Sequence, residues 1–334
     1  MENIRATITG IGHYVPDKIL TNFDLEKMVD TSDEWIRTRT GIRERHILEH
    51  GGTSDMGAKA LQSLMANSNL DPSEIEVLIV ATISPDMMFP STSCLIQNKI
   101  GASKAFCIDL SAACCGFIYA LVVGAQFIEN GRYKKVVVVG ADKMSSITDY
   151  TDRNTCILFG DAAAAVLLEP SEDLQYGLID HKFYSDGSGA PFLYLKGGGS
   201  LYPATHETVD KGWHYLYQDG KSVFKIAVVG MADVSEEILK RNKLTGADID
   251  WLVPHQANMR ILTATAERMG LEMSKVMVNI DRYGNTTAAT IPLCLSEWWQ
   301  NGKLRKGQRI IISSFGAGWT WGAALLRWSL DLKQ

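Results

Sequence analysis

Two hydrophobic periodicities alternate along the chain. Short runs rich in Val and Ile, bounded by turn residues, predict buried strands at 75–82, 135–140, 249–253 and 309–313. Apolar residues at helical spacing predict helices over Asp55–Ser68, Ser222–Arg241 and Gln256–Met269, the second of them with Ser222 as a possible N-cap. Continuous apolar strands that alternate with helices are typical of sheets covered on both faces, so we predict a layered α/β fold with two central sheets.

The chain also contains an internal repeat. Residues 70–80 align without a gap on residues 244–254, an offset of 174 residues, and residues 135–139 align on 309–313 at the same offset. Such a period is far longer than that of a solenoid repeat. We therefore predict two related halves, residues 1–175 and residues 176–334, and we expect that neither acts alone.

Residues 184–221 interrupt both periodicities. The segment holds seven glycines and seven aromatic residues. Long irregular segments are usually functional or disordered. The aromatic content favours a packed loop or an extra hairpin at the mouth of a site over a flexible linker.

Composition and charge narrow the class of protein. Apolar residues make up 46 % of the chain and charged residues 21 %, as in packed globular proteins. The net charge of −5 provides no global basic field, so we expect no nucleic-acid partner, and any polyanionic partner needs a local basic patch. The uncharged stretch Ser111–Ile128 resembles a membrane span, but its glycines and mid-chain position favour a buried core helix, and we expect no membrane association.

Cysteine spacing and the N-terminus bear on location and cofactors. The six cysteines form no C-x-x-C pair, and the N-terminus has no basic-then-apolar leader, which together predict a cytoplasmic protein with reduced thiols. His46–His50 matches the H-x-x-E-H metallopeptidase pattern, but nearby glycines leave little room for the helix that this pattern needs. Gly10–Gly12 lacks the third glycine of a dinucleotide-binding turn. We therefore expect neither a metal nor a nucleotide cofactor.

Four stretches carry candidate chemistry. Cys114 lies in a turn of small residues before the long uncharged helix, where the helix N-terminus is expected to lower the pKa of its thiol. His255 follows a predicted strand, at the edge where open α/β sheets gather active sites, and Asn285 lies in a glycine-marked turn. The glycine-rich turn 314–320 can aim backbone N–H groups at an anion. Taken singly, each also has a structural explanation, such as a buried small thiol or an Asx turn.

Taken together, these stretches resemble the β-ketoacyl-acyl-carrier-protein (ACP) synthase III family, the initiating condensing enzymes of bacterial type II fatty-acid synthesis within the thiolase superfamily. The matching motifs are Val29–Ile36, Thr38–His46, the Cys114 turn, Phe159–Asp161, His255–Asn258, Gly284–Thr286 and Phe315–Trp321. The resemblance implies a thiolase-like, five-layered αβαβα fold built from two related halves. It also implies the catalytic residues Cys114, His255 and Asn285, with an oxyanion hole formed by the N–H groups of Cys114 and Ala317. The family pattern Ala-Cys-x-Gly-Phe selects Cys114 as the nucleophile and makes Cys115 a packing residue.

The resemblance further implies an activity and its partners. The reaction is the decarboxylative Claisen condensation of an acyl-CoA primer, acetyl-CoA or a short or branched acyl-CoA, with malonyl-ACP, through an acyl-cysteine and without a cofactor. The implied CoA and carrier contacts are Thr31, Trp35, Arg39, Arg153, Gly220, Phe224, Lys225, Asn258 and Arg260. Lys225 and Arg260 would help to receive the acidic carrier protein. Phe89 is implied to close the acyl pocket across a homodimer.

Three alternatives make different demands on the sequence. A degradative thiolase needs a second cysteine in the C-terminal glycine loop, and residues 313–321 contain none. A condensing enzyme or acyltransferase of specialised, polyketide-like metabolism would keep the same three catalytic residues, and the long 184–221 segment leaves this alternative open. A non-catalytic acyl-CoA-binding or carrier-binding protein is disfavoured because all three catalytic positions are intact.

Overall fold

The computed structural model describes residues 4–332. Residues 1–3 and 333–334, the outer ends of the two predicted halves, lie outside this range. The prediction of a cytoplasmic protein rests partly on those first three residues. The strands are β1 (Arg5–Tyr14), β2 (Lys18–Thr21), β3 (Glu44–Ile47), β4 (Val77–Ala81), β5 (Phe106–Leu110), β6 (Val136–Asp142), β7 (Ala162–Ser171), β8 (Gly177–Ser185), β9 (Leu193–Leu195), β10 (Leu216–Gln218), β11 (Trp251–Pro254), β12 (Arg309–Gly316) and β13 (Thr320–Arg327). The α-helices are α1 (Asn22–Leu25), α2 (Asp33–Thr40), α3 (Thr53–Ser68), α4 (Thr92–Ile100), α5 (Gly116–Glu129), α6 (His206–Asp210), α7 (Gly220–Arg241), α8 (Met259–Arg268), α9 (Ile280–Tyr283) and α10 (Thr290–Gln300).

Two sheets that share the order of four strands form the centre of the molecule. The first has the strand order β1-β7-β6-β4-β5, and the second, read from its opposite end, has the order β8-β13-β12-β11. The β4/β6 and β11/β12 pairs are parallel, whereas β7 and β1 in the first sheet, and β13 and β8 in the second, pair antiparallel. β5 adds a further parallel strand at the edge of the first sheet. β11 begins at Trp251, 174 residues after β4 begins at Val77. The predicted α/β fold with two central sheets from two related halves is confirmed, and the boundary at residue 175 stays a prediction.

Five layers result from how the helices cover these sheets. α3 and α4 cover the outer face of the first sheet, and α7 and α8 cover the outer face of the second. α5 and α10 lie between the sheets and contact both. Side chains alternate accordingly along β6, where Val136 and Val138 pack toward the middle layer and Val137 and Val139 pack toward α3.

The long uncharged stretch forms the central helix α5. Phe117, Ile118 and Leu121 on this helix are buried in the core between the sheets. The prediction of a buried core helix is therefore confirmed. Among residues 4–332, no helix is long and apolar enough to cross a membrane.

Helix α7 begins earlier than its predicted N-cap. Asp219 caps the helix, because its side chain accepts from the backbone N–H groups of Lys221 and Ser222, both at 3.2 Å. Ser222 lies inside the first turn, so the N-cap prediction is wrong. The apolar stripe predicted for this helix is buried at Ala227 and Met231 and packs against the second sheet.

Residues 184–221 are packed rather than linker-like. β9 and β10 pair as an antiparallel hairpin. Lys196 Nζ lies 3.7 Å from the ring centre of Trp213 and 4.9 Å from that of Tyr202, and Phe192 stacks on Trp319. The segment therefore contains paired strands and packed aromatic side chains, and its role as an insertion at the mouth of a site stays a prediction.

Candidate active site

A single cavity of about 870 Å³ brings together residues from both halves of the chain. Its wall contains Cys114, His255, Asn285 and Ala317. Cys114 lies in a 3-10 turn between β5 and α5, and His255 directly follows β11. Asn285 precedes a second 3-10 turn that leads into α10. Strand ends and helix starts from the two halves of the chain therefore converge on one site.

The backbone of Cys114 is held tightly against β12. Ala113, the first residue of its turn, has a positive φ of 47°. Ser314 Oγ donates to the carbonyl of Cys114 at 2.8 Å. A Cβ placed on Gly316 would lie 2.8 Å from the Cys114 nitrogen, so this approach requires glycine. The position of the thiol is thus set by two residues of β12 as well as by its own turn.

Burial governs the protonation of this thiol. Cys114 is only 8 % exposed. Its burial, reinforced by the nearby Cys115 and Asp142, raises the pKa of Cys114 well above the usual range. The expectation of a lowered thiol pKa is therefore wrong, because desolvation outweighs the favourable backbone at the start of the helix. The neighbouring Cys115 Sγ donates to the carbonyl of Thr320 at 3.2 Å, as suits a packing residue.

His255 is fixed from its backbone outward. Its N–H donates to the carbonyl of Ser313 at 2.8 Å, which aligns it with the end of β12. The next residue, Gln256, is fully buried and donates to the carbonyls of Pro254 and Met277 at 2.7 and 3.1 Å. Burial lowers the pKa of His255 to about 3, so the imidazole is neutral near pH 7.

The backbone of Asn285 is hydrogen-bonded to Leu158 and Gly160, at the start of the Phe159–Asp161 motif. Its N–H donates to the carbonyl of Leu158 at 2.8 Å, and its carbonyl accepts from the N–H of Gly160 at 3.1 Å. Asn285 Oδ1 accepts from the N–H of Thr287 at 2.9 Å, an Asx-turn bond that orients the side-chain amide. Nδ2 is consequently the free donor on the cavity side.

Asp142, which was not predicted as a site residue from the sequence, supports this arrangement. It is fully buried at the end of β6, and its burial raises the pKa of its carboxyl. The carboxylate accepts six hydrogen bonds, from Thr82, Ile83, Ser84 (twice), Thr287 and Ala288. It thereby ties β4 and β6 to the turn that orients Asn285. The available sequence signal is its place at the carboxyl end of a predicted strand.

The mouth of the cavity combines an indole with guanidinium groups. Arg39 and Arg153 lie over the ring of Trp35, with 4.6 and 4.7 Å between each guanidinium carbon and the ring centre. Asn258 Nδ2 donates to the carbonyl of Arg39 at 2.9 Å, which joins α2 to the start of α8. Arginine and aromatic side chains here offer both charge and a flat apolar surface.

Most of the predicted CoA and carrier contacts reach this cavity. Trp35, Arg39, Gly220, Phe224, Asn258 and Arg260 line it, whereas Thr31, Arg153 and Lys225 lie outside its lining. Arg260 lies over the ring of Phe224 at 4.6 Å. Lys225 follows Phe224 on α7 and is exposed to solvent. The structure thus divides the predicted set into residues that line the cavity and residues that do not.

An apolar end of the cavity was not predicted. It is lined by Ile83, Ile147, Met144, Phe159, Leu193 and Leu216, which pack together as one cluster. Leu193 and Leu216 come from the β9–β10 hairpin, so the 184–221 segment contributes directly to the site. Phe89, the predicted pocket residue, is 84 % exposed and does not line the cavity of this single chain.

Comparison with known proteins decides the family. The family model for 3-oxoacyl-[acyl-carrier-protein] synthase III matches residues 108–187, and the model for the C-terminal part of the same family matches residues 239–328. The β-ketoacyl-[acyl-carrier-protein] synthase III of Chlorobaculum tepidum is 56 % identical over 328 residues, which cover 97 % of this chain and 100 % of the relative. The chain belongs to the β-ketoacyl-ACP synthase III family.

Solved structures of this family share the fold. The 3-oxoacyl-[acyl-carrier-protein] synthase III of Aquifex aeolicus is 42 % identical, with a TM-score of 0.89 over 97 % of this chain and 100 % of that one. The priming β-ketosynthase of the R1128 polyketide biosynthetic pathway is 32 % identical, with a TM-score of 0.90 over 98 % of this chain and 97 % of that one. The predicted thiolase-like fold is confirmed. As a member of the synthase III family, the chain is a condensing acyltransferase.

Proposed function

We propose that this synthase III family member joins an acyl-CoA primer to malonyl-ACP by decarboxylative Claisen condensation and so initiates type II fatty-acid synthesis. The observation that carries the proposal is the convergence of a buried thiol, a neutral imidazole and a free amide donor on one cavity with an apolar end. These groups are Cys114, His255 and Asn285. A thiol nucleophile and neutral hydrogen-bond donors are what thioester exchange and enolate formation need.

The first half-reaction transfers the acyl group to Cys114. Its sulfur attacks the thioester carbon of the primer, the bond to the CoA sulfur breaks, and the thiol proton of Cys114 ends on the released CoA. The N–H groups of Cys114 and Ala317 donate to the carbonyl oxygen as charge develops on it. Thr320 Oγ1 donates to the carbonyl of Ala317 at 3.1 Å, which supports the loop that carries this second donor.

The second half-reaction forms the carbon–carbon bond. The malonyl group loses CO₂, and the electron pair of the broken bond forms an enolate whose oxygen accepts from His255 Nε2 and Asn285 Nδ2. The enolate carbon attacks the acyl carbon, the bond between that carbon and Cys114 Sγ breaks, and the departing thiolate takes one proton from solvent to restore the thiol. A neutral His255 stabilises the enolate by donation without readily protonating it, because its pKa of about 3 makes imidazolium scarce.

The substrate classes follow from the mouth and the apolar end. Trp35 with Arg39 and Arg153 suits the adenine and phosphates of CoA, and Arg260 with the exposed Lys225 suits an acidic carrier protein. The apolar cluster around Met144 suits the acyl chain of the primer. Thr31, Gly220, Phe224 and Asn258 complete the proposed CoA and carrier contacts.

Dimerisation and location also remain proposals. β5 is an edge strand of the first sheet, and Phe106 on it is 38 % exposed, so the strand offers an unpaired edge and apolar surface to a second copy. The exposed Phe89 would then reach the acyl pocket of the partner. The cytoplasmic location stays a prediction from the sequence.

Acylation and condensation can be tested separately. The protein is incubated with straight and branched acyl-CoA primers, and acyl-Cys114 is measured by peptide mass spectrometry before malonyl-ACP is added. Cys114→Ala is expected to abolish acylation, whereas the matched variant Cys115→Ala is expected to retain it. Absence of acyl-Cys114 with every primer, or full condensing activity in Cys114→Ala, would overturn the proposal.

One specific observation supports a second candidate, a priming role in polyketide-like synthesis. The priming β-ketosynthase of the R1128 pathway shares the fold at 32 % identity. The 56 % identity to the Chlorobaculum tepidum synthase favours fatty-acid synthesis. Rates with fatty-acid and polyketide carrier proteins distinguish the two, since the preferred carrier accelerates condensation without changing acylation.

A further inference from the structure

We propose that Thr290 is a positioning residue that sets the tautomer of His255. Its hydroxyl donates to His255 Nδ1, so the one proton of the neutral imidazole is carried at Nε2, the ring nitrogen available to the cavity. This inference rests on the proposed function, because it concerns the donor that stabilises the enolate.

The geometry allows two arrangements of the Thr290 proton. Thr290 Oγ1 lies 2.8 Å from His255 Nδ1 and 3.1 Å from the carbonyl oxygen of Thr287. A hydroxyl has a single proton. Either it donates to Nδ1, or it accepts from a protonated Nδ1 and donates to the Thr287 carbonyl. The first arrangement leaves Nε2 as a donor, and the second leaves Nε2 as a bare acceptor.

Two features favour donation to Nδ1. The carbonyl of Thr287 already accepts from the backbone N–H of Thr290, so it does not depend on the hydroxyl. The contact with Nδ1 is also the shorter of the two. In the opposite arrangement Nε2 would direct a lone pair at the enolate oxygen, and two acceptors would repel each other.

The surroundings hold this contact in place. Thr290 and His255 are each 1 % exposed, so water does not replace the hydroxyl as the partner of Nδ1. Because the buried imidazole stays neutral, the position of its single proton decides what it can do.

The repeat gives an independent comparison. Thr290 is the first residue of α10, and the residue 174 positions earlier, Gly116, is the first residue of α5. Only the half that carries His255 has a hydroxyl at this place. Glycine at Gly116 shows that the duplicated helix start does not itself require a side chain there.

The test compares Thr290→Val, which keeps the shape and removes the donor, with Thr290→Ser, which keeps the hydroxyl. Nitrogen-15 NMR of histidine-labelled protein reads the tautomer of His255 directly, and its signal is assigned with His255→Gln. We expect the Nε2–H tautomer in the wild type and in Thr290→Ser. Thr290→Val is expected to lose this preference and to slow condensation on preacylated enzyme about 10²-fold, as for the loss of one oxyanion donor.

The rate of Cys114 acylation distinguishes loss of the positioning role from a general structural defect, because a general defect would slow acylation as well. We expect Thr290→Val to acylate within about threefold of the wild-type rate, because the acyl oxygen is bound by backbone N–H groups. Thr265→Val is a matched control, since Thr265 is also fully buried and donates to the carbonyl of Ile261 at 2.9 Å on α8. This control is expected to leave the His255 tautomer unchanged.

The outcomes separate this inference from the proposed function. A wild-type Nδ1–H tautomer, or unchanged condensation in Thr290→Val, would overturn the role of Thr290. If Thr290→Val does not fold, the wild-type and Thr290→Ser spectra still decide the tautomer. A wild type that carries Nε2–H but never condenses would refute the proposed function and leave the tautomer assignment standing.

Discussion

Replacement of Asn285 by Asp tests the proposed enolate site with little change in shape. The Asp side chain retains an oxygen that accepts from the N–H of Thr287, the contact that spans 2.9 Å in the native protein. It exchanges Nδ2 for a second oxygen. The variant therefore removes one of two proposed enolate donors and leaves the Asx turn intact.

The magnitude follows from the donor count and from charge. Loss of one oxyanion donor costs about 10²–10³-fold in rate, or about 3–4 kcal/mol. A carboxylate adds repulsion of roughly 4 kcal/mol against an anionic oxygen about 4 Å away at an effective dielectric constant near 20. Asn285→Ala removes the donor without adding charge, so Asn285→Asp is expected to be slower than Asn285→Ala near neutral pH. Protonation of the new carboxyl at low pH restores a donor and should narrow this gap.

The assay isolates the carbon–carbon step. Cys114 is first acylated and freed of CoA, malonyl-ACP is added, and the product is followed by rapid quench. Acylation itself is expected to change less than threefold in both variants. Asn130→Asp, at the exposed end of α5, controls for an added negative charge. A condensation rate for Asn285→Asp within tenfold of the wild type would refute the assigned role of the amide.

Proton equilibria, an ion pair and a close backbone approach give three further tests. Condensation on preacylated enzyme is expected to keep its rate from about pH 8 to about pH 5, because His255, with a pKa of about 3, stays neutral there. Acylation is expected to accelerate as pH rises, since the thiolate is the nucleophile and the pKa of Cys114 is raised. A fall in the condensation rate near pH 6 would contradict the first expectation, and an acylation rate independent of pH would contradict the second. Glu297→Ala removes the carboxylate that Arg282 contacts at 2.7 and 3.1 Å. This substitution is expected to lower the free energy of unfolding in urea by about 2–3 kcal/mol. The effect is smaller than for a fully buried ion pair because the Arg282 side chain is 43 % exposed. An unchanged urea midpoint of unfolding would count against this expectation. Gly316→Ala places a Cβ 2.8 Å from the Cys114 nitrogen and is expected to slow acylation at least about tenfold without loss of circular dichroism; a rate within twofold of the wild type would show that the strand can give way.

The parts that could be predicted from the sequence share a local signal. Continuous apolar runs predicted the central strands, and the 174-residue offset predicted that the second sheet repeats the first. His255 could be found because it directly follows a strand, and the Cys114 turn because small residues separate a strand from a helix. The family resemblance then joined positions that are far apart in the chain.

The parts that could not be predicted depend on contacts between distant segments. The six donors to Asp142 come from residues 82–84 and 287–288, which only the folded chain brings together. The apolar end of the cavity likewise needs Met144 and the β9–β10 hairpin to meet. The pKa of Cys114 could not be judged from its turn, because burial in the folded chain decides the direction of its shift.

The duplicated turns explain how one fold supplies both a nucleophile and its donors. Ala113 and Thr287 lie 174 residues apart, begin equivalent 3-10 turns and have nearly equal positive φ values of 47° and 49°. This backbone region is costly for residues other than glycine, and especially for a β-branched threonine. At Thr287 the conformation is supported by the bonds of its hydroxyl to Asp142 and of its N–H to Asn285. The first turn therefore presents the thiol of Cys114, while the second orients an amide donor, and each half completes the site of the other.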